Sequence, residues 1–206
     1  MPLSKLKADS LNLGDTFVFT GDVTGEPSGA LTLLQTQTAS GVSSISFTTG
    51  IDSTYDEYWF IYNNFHPQTD VAQLGFQAST NGGSSYGVTM TSTNFTTLHN
   101  EADNDTWQGY SATRDLAQST SYPIATDGYG NDNDQCGVGE LWLFNPSSTT
   151  YVKHFLHIDN CYNANNYSCR SDHAGYFNTT SAINAINFKF NTGNIDAGYI
   201  QMFGVK

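Results

Sequence analysis

From Ala30 onward, short apolar or alternating runs recur about every ten positions along the chain. Each run is bounded by Gly, Asn, Asp, Ser or Pro, which favour turns. The pattern predicts strands throughout and shows no amphipathic helix. The predicted strands are 31–38, 43–47, 57–65, 71–78, 87–95, 140–144, 151–158, 185–190 and 198–203. Many short strands at this spacing are typical of an antiparallel β-sandwich or jelly roll, so we expect an all-β fold.

Three turn sequences support connections between successive strands. They are Asn81-Gly82-Gly83 and the segments 145–148 and 191–194, which each lie between two apolar-rich runs. Asn and Gly tolerate positive φ, and Pro fixes φ, so all three favour tight turns. We therefore expect a hairpin at each position.

The predicted strand 57–65 is apolar on both faces. Its central run is Tyr58-Trp59-Phe60-Ile61-Tyr62. Because neither face of this run is polar, we expect the strand at the centre of the packing or in a subunit interface.

Two segments interrupt the strand pattern, 99–136 and 159–174. The first holds seven of the nineteen acidic residues and several aromatic ones. Long loops within compact domains are usually functional or disordered, so 99–136 is the first segment to search for a site.

Residues 1–29 differ from the rest of the chain. A short alternating run at 16–20 is followed by Gly25-Glu26-Pro27-Ser28-Gly29, which cannot continue a strand. We therefore expect a short N-terminal appendage with its linker at 1–29, followed by a β-sandwich domain at 30–206.

The charge balance excludes several classes of function. Seven Lys and Arg residues face nineteen Asp and Glu, which gives a net charge of 7 − 19 = −12. So few cations cannot neutralise a run of phosphates or an anionic bilayer, which excludes nucleic-acid and membrane-surface binding. No apolar stretch is long enough to span a membrane, and no secretory signal is visible, so we expect a soluble chain that is not exported by the general route.

Cysteine and histidine give no catalytic motif. Cys161 and Cys169 could close a short loop, although the absence of a signal favours free thiols at both and at Cys136. His154 and His157 are three positions apart on a predicted strand, so we expect them on opposite faces rather than as a chelating pair. We therefore expect neither cysteine nor histidine to carry catalysis.

The segment 127–134 combines glycines with side-chain oxygen ligands, which suits a hard cation such as calcium. It lacks the glycine and the closing glutamate of an EF-hand loop, and Asx-rich turns without an ion explain the same residues. The turns are the preferred interpretation, with Asp127, Asp132 and Asp134 as the candidate calcium ligands.

Three aromatic residues of the long segment are candidates for receptor binding. Trp107, Tyr110 and Tyr129 lie beside Asx residues, so they could stack on sugar rings while neighbouring amides and carboxylates bind hydroxyls. The alternative is that these side chains cap the core of the sandwich.

Residues 4–25 (SKLKADSLNLGDTFVFTGDVTG) resemble the short leader of virion structural proteins of tailed bacteriophages, especially those of cyanobacteria and other marine bacteria. The remainder is similar to a group of phage particle proteins in the following motifs: SFTTGIDSTY at 46–55, LFNPSSTT at 143–150, GYFNTT at 175–180 and GNIDAG at 193–198.

The resemblance implies a non-enzymatic virion protein, made in the bacterial cytoplasm and displayed on the particle as a homotrimer. Its leader would attach or trimerise. The first interpretation is a tail fibre or host-attachment module whose sandwich loops touch a surface glycan or protein. The second is a capsid decoration protein bound to the head through its N-terminal segment. A polysaccharide-degrading enzyme is a remote third.

Overall fold

The computed structural model describes residues 30–206, and the predictions for 1–29 lie outside this range. The described chain is all-β. Its strands are β1 Leu31–Thr38, β2 Ile45–Phe47, β3 Glu57–Pro67, β4 Leu74–Ser79, β5 Met90–Asn100, β6 Thr106–Tyr110, β7 Leu116–Ser119, β8 Gly137–Phe144, β9 Lys153–Tyr162, β10 Tyr167–Phe177, β11 Ala185–Phe190 and β12 Ile195–Val205.

The strands form two antiparallel sheets of unequal size. Sheet A has nine strands in the order β1-β12-β3-β8-β9-β10-β5-β6, with β7 also paired to β5. Sheet B has three strands in the order β2-β11-β4. The expected β-sandwich is therefore confirmed for the part of the chain that the structure describes.

The core between the sheets is built largely from aromatic rings. On β3 the inward side chains Tyr58, Phe60 and Tyr62 are fully buried, whereas their outward neighbours are half-exposed. Phe60 packs against Phe47 of β2 and Phe188 of β11, with ring centroids 5.2 Å and 5.6 Å away. Contacts of this kind join the two sheets through van der Waals packing and edge-to-face geometry.

Sheet B is too narrow to cover all of sheet A, and residues 120–130 complete the second layer. Ala125 N–H donates to the Leu74 carbonyl of β4, and the Gln77 side chain of β4 donates to the Thr120 and Ser121 carbonyls. Part of the long segment that we expected to be a loop therefore closes the sandwich beside sheet B. This cover explains why every residue of β4 is buried, although β4 is an edge strand.

Each of the nine predicted strands overlaps a strand of the structure, and 31–38 and 185–190 match β1 and β11 at both ends. The expected loops were partly wrong, because β6 and β7 lie within 99–136 and β10 begins within 159–174. The hairpin at 145–148 is confirmed, since β8 and β9 pair. The other two hairpins are wrong, because the turns at 81–83 and 191–194 connect strands of different sheets.

Residues 30–206 contain no helix that is long and apolar enough to cross a membrane.

Candidate functional site

The outer face of sheet A carries an apolar row that crosses seven adjacent strands. In antiparallel sheets, residues directly opposite one another share a face. The register therefore aligns outward side chains from β1 to β5, most of which are apolar or aromatic. The row is Leu33, Phe203, Trp59, Trp142, Leu156, Ala174 and Thr93.

One half of this row is filled by stacked aromatic rings. The Trp59 and Trp142 rings stack with centroids 4.7 Å apart, and Phe203 lies 5.9 Å from Trp59. Trp59 Nε1 donates a hydrogen bond of 2.7 Å to Glu140 on β8. These contacts fix the rings in place, so this half of the face is a flat, rigid surface.

The other half is hollowed because its central side chains are small. Ala174 on β10 and Thr93 on β5 follow Leu156 of β9 in the row. Two shallow depressions of about 400 Å³ and 330 Å³ meet over these three residues. We call this joined depression the outer groove.

Large side chains form the two walls of the outer groove. On one side His154 and Tyr176 pack with ring centroids 6.0 Å apart, next to Phe144. On the other side Phe95 of β5 lies opposite Tyr110 of β6, and both are about half exposed. The result is an apolar floor between aromatic walls, open to solvent along its length.

Polar groups at the rim of the outer groove are held in defined positions. The Arg170 guanidinium donates two hydrogen bonds of 3.0 Å to the Asp172 carboxylate. The Tyr110 hydroxyl donates to Asp115, and this bond raises the pKa of Tyr110, so the phenol stays protonated. The rim thus presents fixed donors and acceptors around an apolar surface, which is the usual composition of a small-molecule or glycan site.

The three aromatic receptor candidates lie in three different places. Trp107 is opposite Leu98, an inward residue of β5, whereas Tyr110 is opposite the outward Phe95. Trp107 and Tyr110 are exposed at 46% and 54%, on opposite faces of the same edge strand. Only Tyr110 lines the outer groove.

Tyr129 is not exposed, which decides between the two interpretations left open for this residue. Its ring is fully buried, packs edge-on against Phe190 of sheet B at 5.4 Å, and its hydroxyl donates to Asp159. The alternative interpretation, a side chain that completes the core, is the correct one for this residue.

The candidate calcium ligands do not form a metal site in the structure. The Asp127 carboxylate accepts a hydrogen bond of 2.8 Å from Arg114 and another from Gly128 N–H. Asp132 and Asp134 are exposed in the turn that follows. Among residues 30–206, no group of three or more His, Cys, Asp or Glu side chains is placed to hold a metal ion. Asp127 instead holds Arg114, which also donates a hydrogen bond of 3.1 Å to the Thr96 hydroxyl of β5.

A polar cluster lies inside the sandwich around Asp159 of β9. The hydroxyls of Tyr62 and Tyr129 both donate to Asp159 Oδ1, the first at 2.6 Å, and Tyr62 also lies 3.0 Å from His157 Nε2. Burial raises the pKa of Asp159 to about 7 and lowers the pKa of His157 to about 3. All four side chains are buried, so the cluster faces the core and not a bound ligand.

A second buried histidine extends this cluster along β10. His173 Nδ1 pairs with the Asn94 amide at 3.1 Å, and burial lowers the pKa of His173 to about 4. Within the described chain, three buried polar atoms lack a hydrogen-bond partner here: His157 Nδ1, His173 Nε2 and Asp159 Oδ2. His154 lies on the outer face and His157 on the inner face, so the expected opposite placement of these two is confirmed.

Sequence reasoning missed most residues of the outer groove. Leu156 and Phe95 lie within predicted strands, but nothing local indicates that they share a surface with Tyr176 and Ala174 of the unpredicted strand β10. The one available signal was the predicted strand 57–65, whose second apolar face carries Trp59 and Ile61.

Comparison with known proteins gives no relative, because no family model, no curated protein and no solved structure matches the chain.

Proposed function

We propose that the chain is a non-enzymatic structural protein of a tailed-phage particle, and that it acts as a host-attachment module. The sequence resemblance supports the assignment to the particle. The outer groove supports the assignment to attachment, and it is the observation on which the proposal rests. The proposed receptor contact is therefore the outer face of sheet A and not the sandwich loops that we expected from the sequence.

The ligand that fits the outer groove best is a surface glycan. The apolar floor formed by Leu156 and Ala174 suits the C–H face of a pyranose ring, and Tyr110 and Tyr176 can stack on neighbouring rings. Hydroxyl groups at the edge of the sugar would reach Asp172 and the Thr93 hydroxyl.

The negative charge of the chain determines which class of glycan it can bind. A net charge of −12 repels polyanionic chains, and Asp172 and Asp115 add negative charge at the rim. We therefore assign a neutral oligosaccharide, two or three rings long, to the outer groove.

Blocking the floor of the groove tests this placement. Ala174 points outward, so Ala174→Phe fills the groove without entering the core. We expect Ala174→Phe and Tyr110→Ala each to weaken binding of the full chain to host cells at least tenfold, which corresponds to about 1.4 kcal/mol. Binding is measured with fluorescently labelled protein, and far-ultraviolet circular dichroism verifies the fold.

Two matched variants serve as controls. Trp107→Ala removes a similarly exposed aromatic from the other face of β6, and Val138→Phe adds a ring to the outer face of β8 opposite Asn160, four residues along β9 from the groove floor at Leu156. Both should bind as the wild type does. Loss of binding in Trp107→Ala with full binding in Ala174→Phe would place the receptor site on the opposite face and refute the proposal.

The position of the protein in the particle distinguishes a host-attachment module from a capsid decoration protein. Gold-labelled antibody against the chain should mark the tail of intact particles in electron micrographs. Label spread over the head would instead make the protein a capsid decoration. In that case the stacked half of the outer face, next to the β1 residues Leu31 and Leu33, would be the candidate surface for contact with the shell.

A further inference from the structure

Cys161 of β9 and Cys169 of β10 are directly opposite each other in the antiparallel register. Both side chains point inward and both are buried. Cys136, the third cysteine, is only partly buried and precedes β8. All three are thiols in this structure.

The backbone spacing at this pair suits a disulfide. Asn163 N–H donates to the Tyr167 carbonyl at 3.0 Å, two residues further along the same ladder, so Cys161 and Cys169 form a hydrogen-bonded pair. The Cα atoms of such a pair are about 5.5 Å apart, within the 4.4–6.8 Å range of natural disulfides. The Cβ atoms of a hydrogen-bonded pair lie near the upper end of the range of about 4.5–5.5 Å for facing residues, so they must approach by about 1 Å, which leaves the bond strained and easily reduced.

The two thiols already influence each other. The neighbouring Cys169 thiol and burial together raise the pKa of Cys161 well above its usual range. A thiol of this kind reacts slowly while it stays buried. The pair is, however, only one residue pair from the turn that joins β9 to β10, so fraying of this end exposes both sulfurs.

We propose that Cys161 and Cys169 are an oxidation site that forms an intrachain disulfide across the β9–β10 hairpin. A small-molecule disulfide such as oxidised glutathione is the oxidant. The thiolate of one cysteine attacks its S–S bond and releases one glutathione thiol. The second cysteine, as thiolate, then attacks the mixed disulfide and releases the other. The two cysteines lose two protons and two electrons, the oxidant is reduced to two thiols, and Cys136 keeps its thiol.

The cross-link ties together the hairpin that carries the floor of the outer groove. It closes a loop of nine residues, 161–169. For a loop of this size, restriction of the unfolded chain lowers the unfolding equilibrium constant by up to about 80-fold. For a domain of this size the melting temperature should rise by about 5–10 °C, and strain reduces the gain.

The test counts thiols in the full chain before and after incubation with oxidised glutathione. The protein is unfolded in the presence of iodoacetamide and its mass is measured. We expect three alkylated cysteines in the reduced protein and one, Cys136, in the oxidised protein. Peptic peptides containing Cys161 and Cys169 should then be found cross-linked.

Two variants make the result decisive. Cys136→Ser should keep the cross-link and the rise in melting temperature, whereas Cys169→Ser should show two alkylated cysteines and no rise. Three alkylated thiols after oxidation, a cross-link to Cys136, or a disulfide between chains on a non-reducing gel would overturn the proposal. If Cys169→Ser does not fold, the masses of the wild type and of Cys136→Ser still decide.

Discussion

Strand parity determines the surroundings of each functional side chain. Trp107 and Tyr110 are three residues apart, so one lies on the inner side of sheet A and the other on its outer face. The same rule separates His154 from His157 on β9, and the spacing of these two residues in a predicted strand was sufficient to predict it. The opposite placement of Trp107 and Tyr110 could not be predicted in this way, because no hydrophobic pattern marks β6 as a strand.

At the same scale, Asp159 makes the stability of the protein depend on pH. Its folded pKa is about 7, above its value in the unfolded chain. The stability that this proton contributes is complete below about pH 4 and is lost as the pH rises to 7. His157 and His173 have the opposite effect on stability. Their folded pKa values are lowered to about 3 and about 4, so the stability that their neutral forms contribute is lost as the pH falls.

Replacing Asp159 by Asn isolates this contribution. Asn keeps an acceptor for the Tyr62 hydroxyl but does not titrate, and the histidine contributions cancel in the comparison with wild type. We expect the unfolding free energy of Asp159→Asn, relative to that of the wild type, to increase by up to about 1.4 kcal/mol per pH unit between pH 4 and 7. Urea unfolding at pH 4.5, 6 and 8 measures this gain.

The control is Asp172→Asn, which removes a carboxylate from the outer face of the neighbouring strand. If the difference between Asp159→Asn and wild type is the same at all three pH values, Asp159 does not hold its proton in the folded protein.

At the scale of elements, β10 shows why a long central strand escaped prediction. Its inward side chains include Ser171 and His173, so neither face of the strand is apolar in sequence. Ser171 and His173 are accommodated by Thr96 and Asn94 of β5, and such a pairing is visible only after the strands are aligned. Hydrophobic periodicity finds strands that pack on apolar neighbours, and β10 packs partly on polar ones.

The pairing of β10 with β5 depends on Gly175. A methyl group there would lie 2.4 Å from the Thr91 carbonyl oxygen of β5 and 2.7 Å from the Phe155 ring. We expect Gly175→Ala to lower the unfolding free energy by about 2–3 kcal/mol, because the β10 and β5 backbones must move apart. Chemical denaturation measures the loss.

The matched control is Ala174→Ser, one residue earlier on the same strand and on the outer face. It should change stability by less than about 0.5 kcal/mol. An equally stable Gly175→Ala protein would mean that β5 and β10 separate there without cost.

At the scale of the whole molecule, composition and strand spacing were sufficient to predict a sandwich but not its unequal halves. Turn residues such as Asn81 and Gly193 mark where the chain reverses, and they carry no information on whether the next strand joins the same sheet. The second layer formed by 120–130 was also unpredictable, because its contacts with β4 are single hydrogen bonds from scattered residues. The outer groove could not be predicted for the same reason, since its lining comes from five strands, β8, β9, β10, β5 and β6, that must first be aligned in register.

The Arg114–Asp127 ion pair also affects how readily proteases cleave the folded protein. Trypsin-like proteases need a basic side chain that can extend into their binding pocket from a locally unfolded backbone. Arg114 is the one basic residue of 30–205 outside a strand, and its side chain is only 15% exposed and bonded to Asp127. Lys153 is buried, and Lys189 lies in a strand with its ammonium 4.0 Å from the Tyr122 ring. The intact fold thus offers such enzymes little to cut.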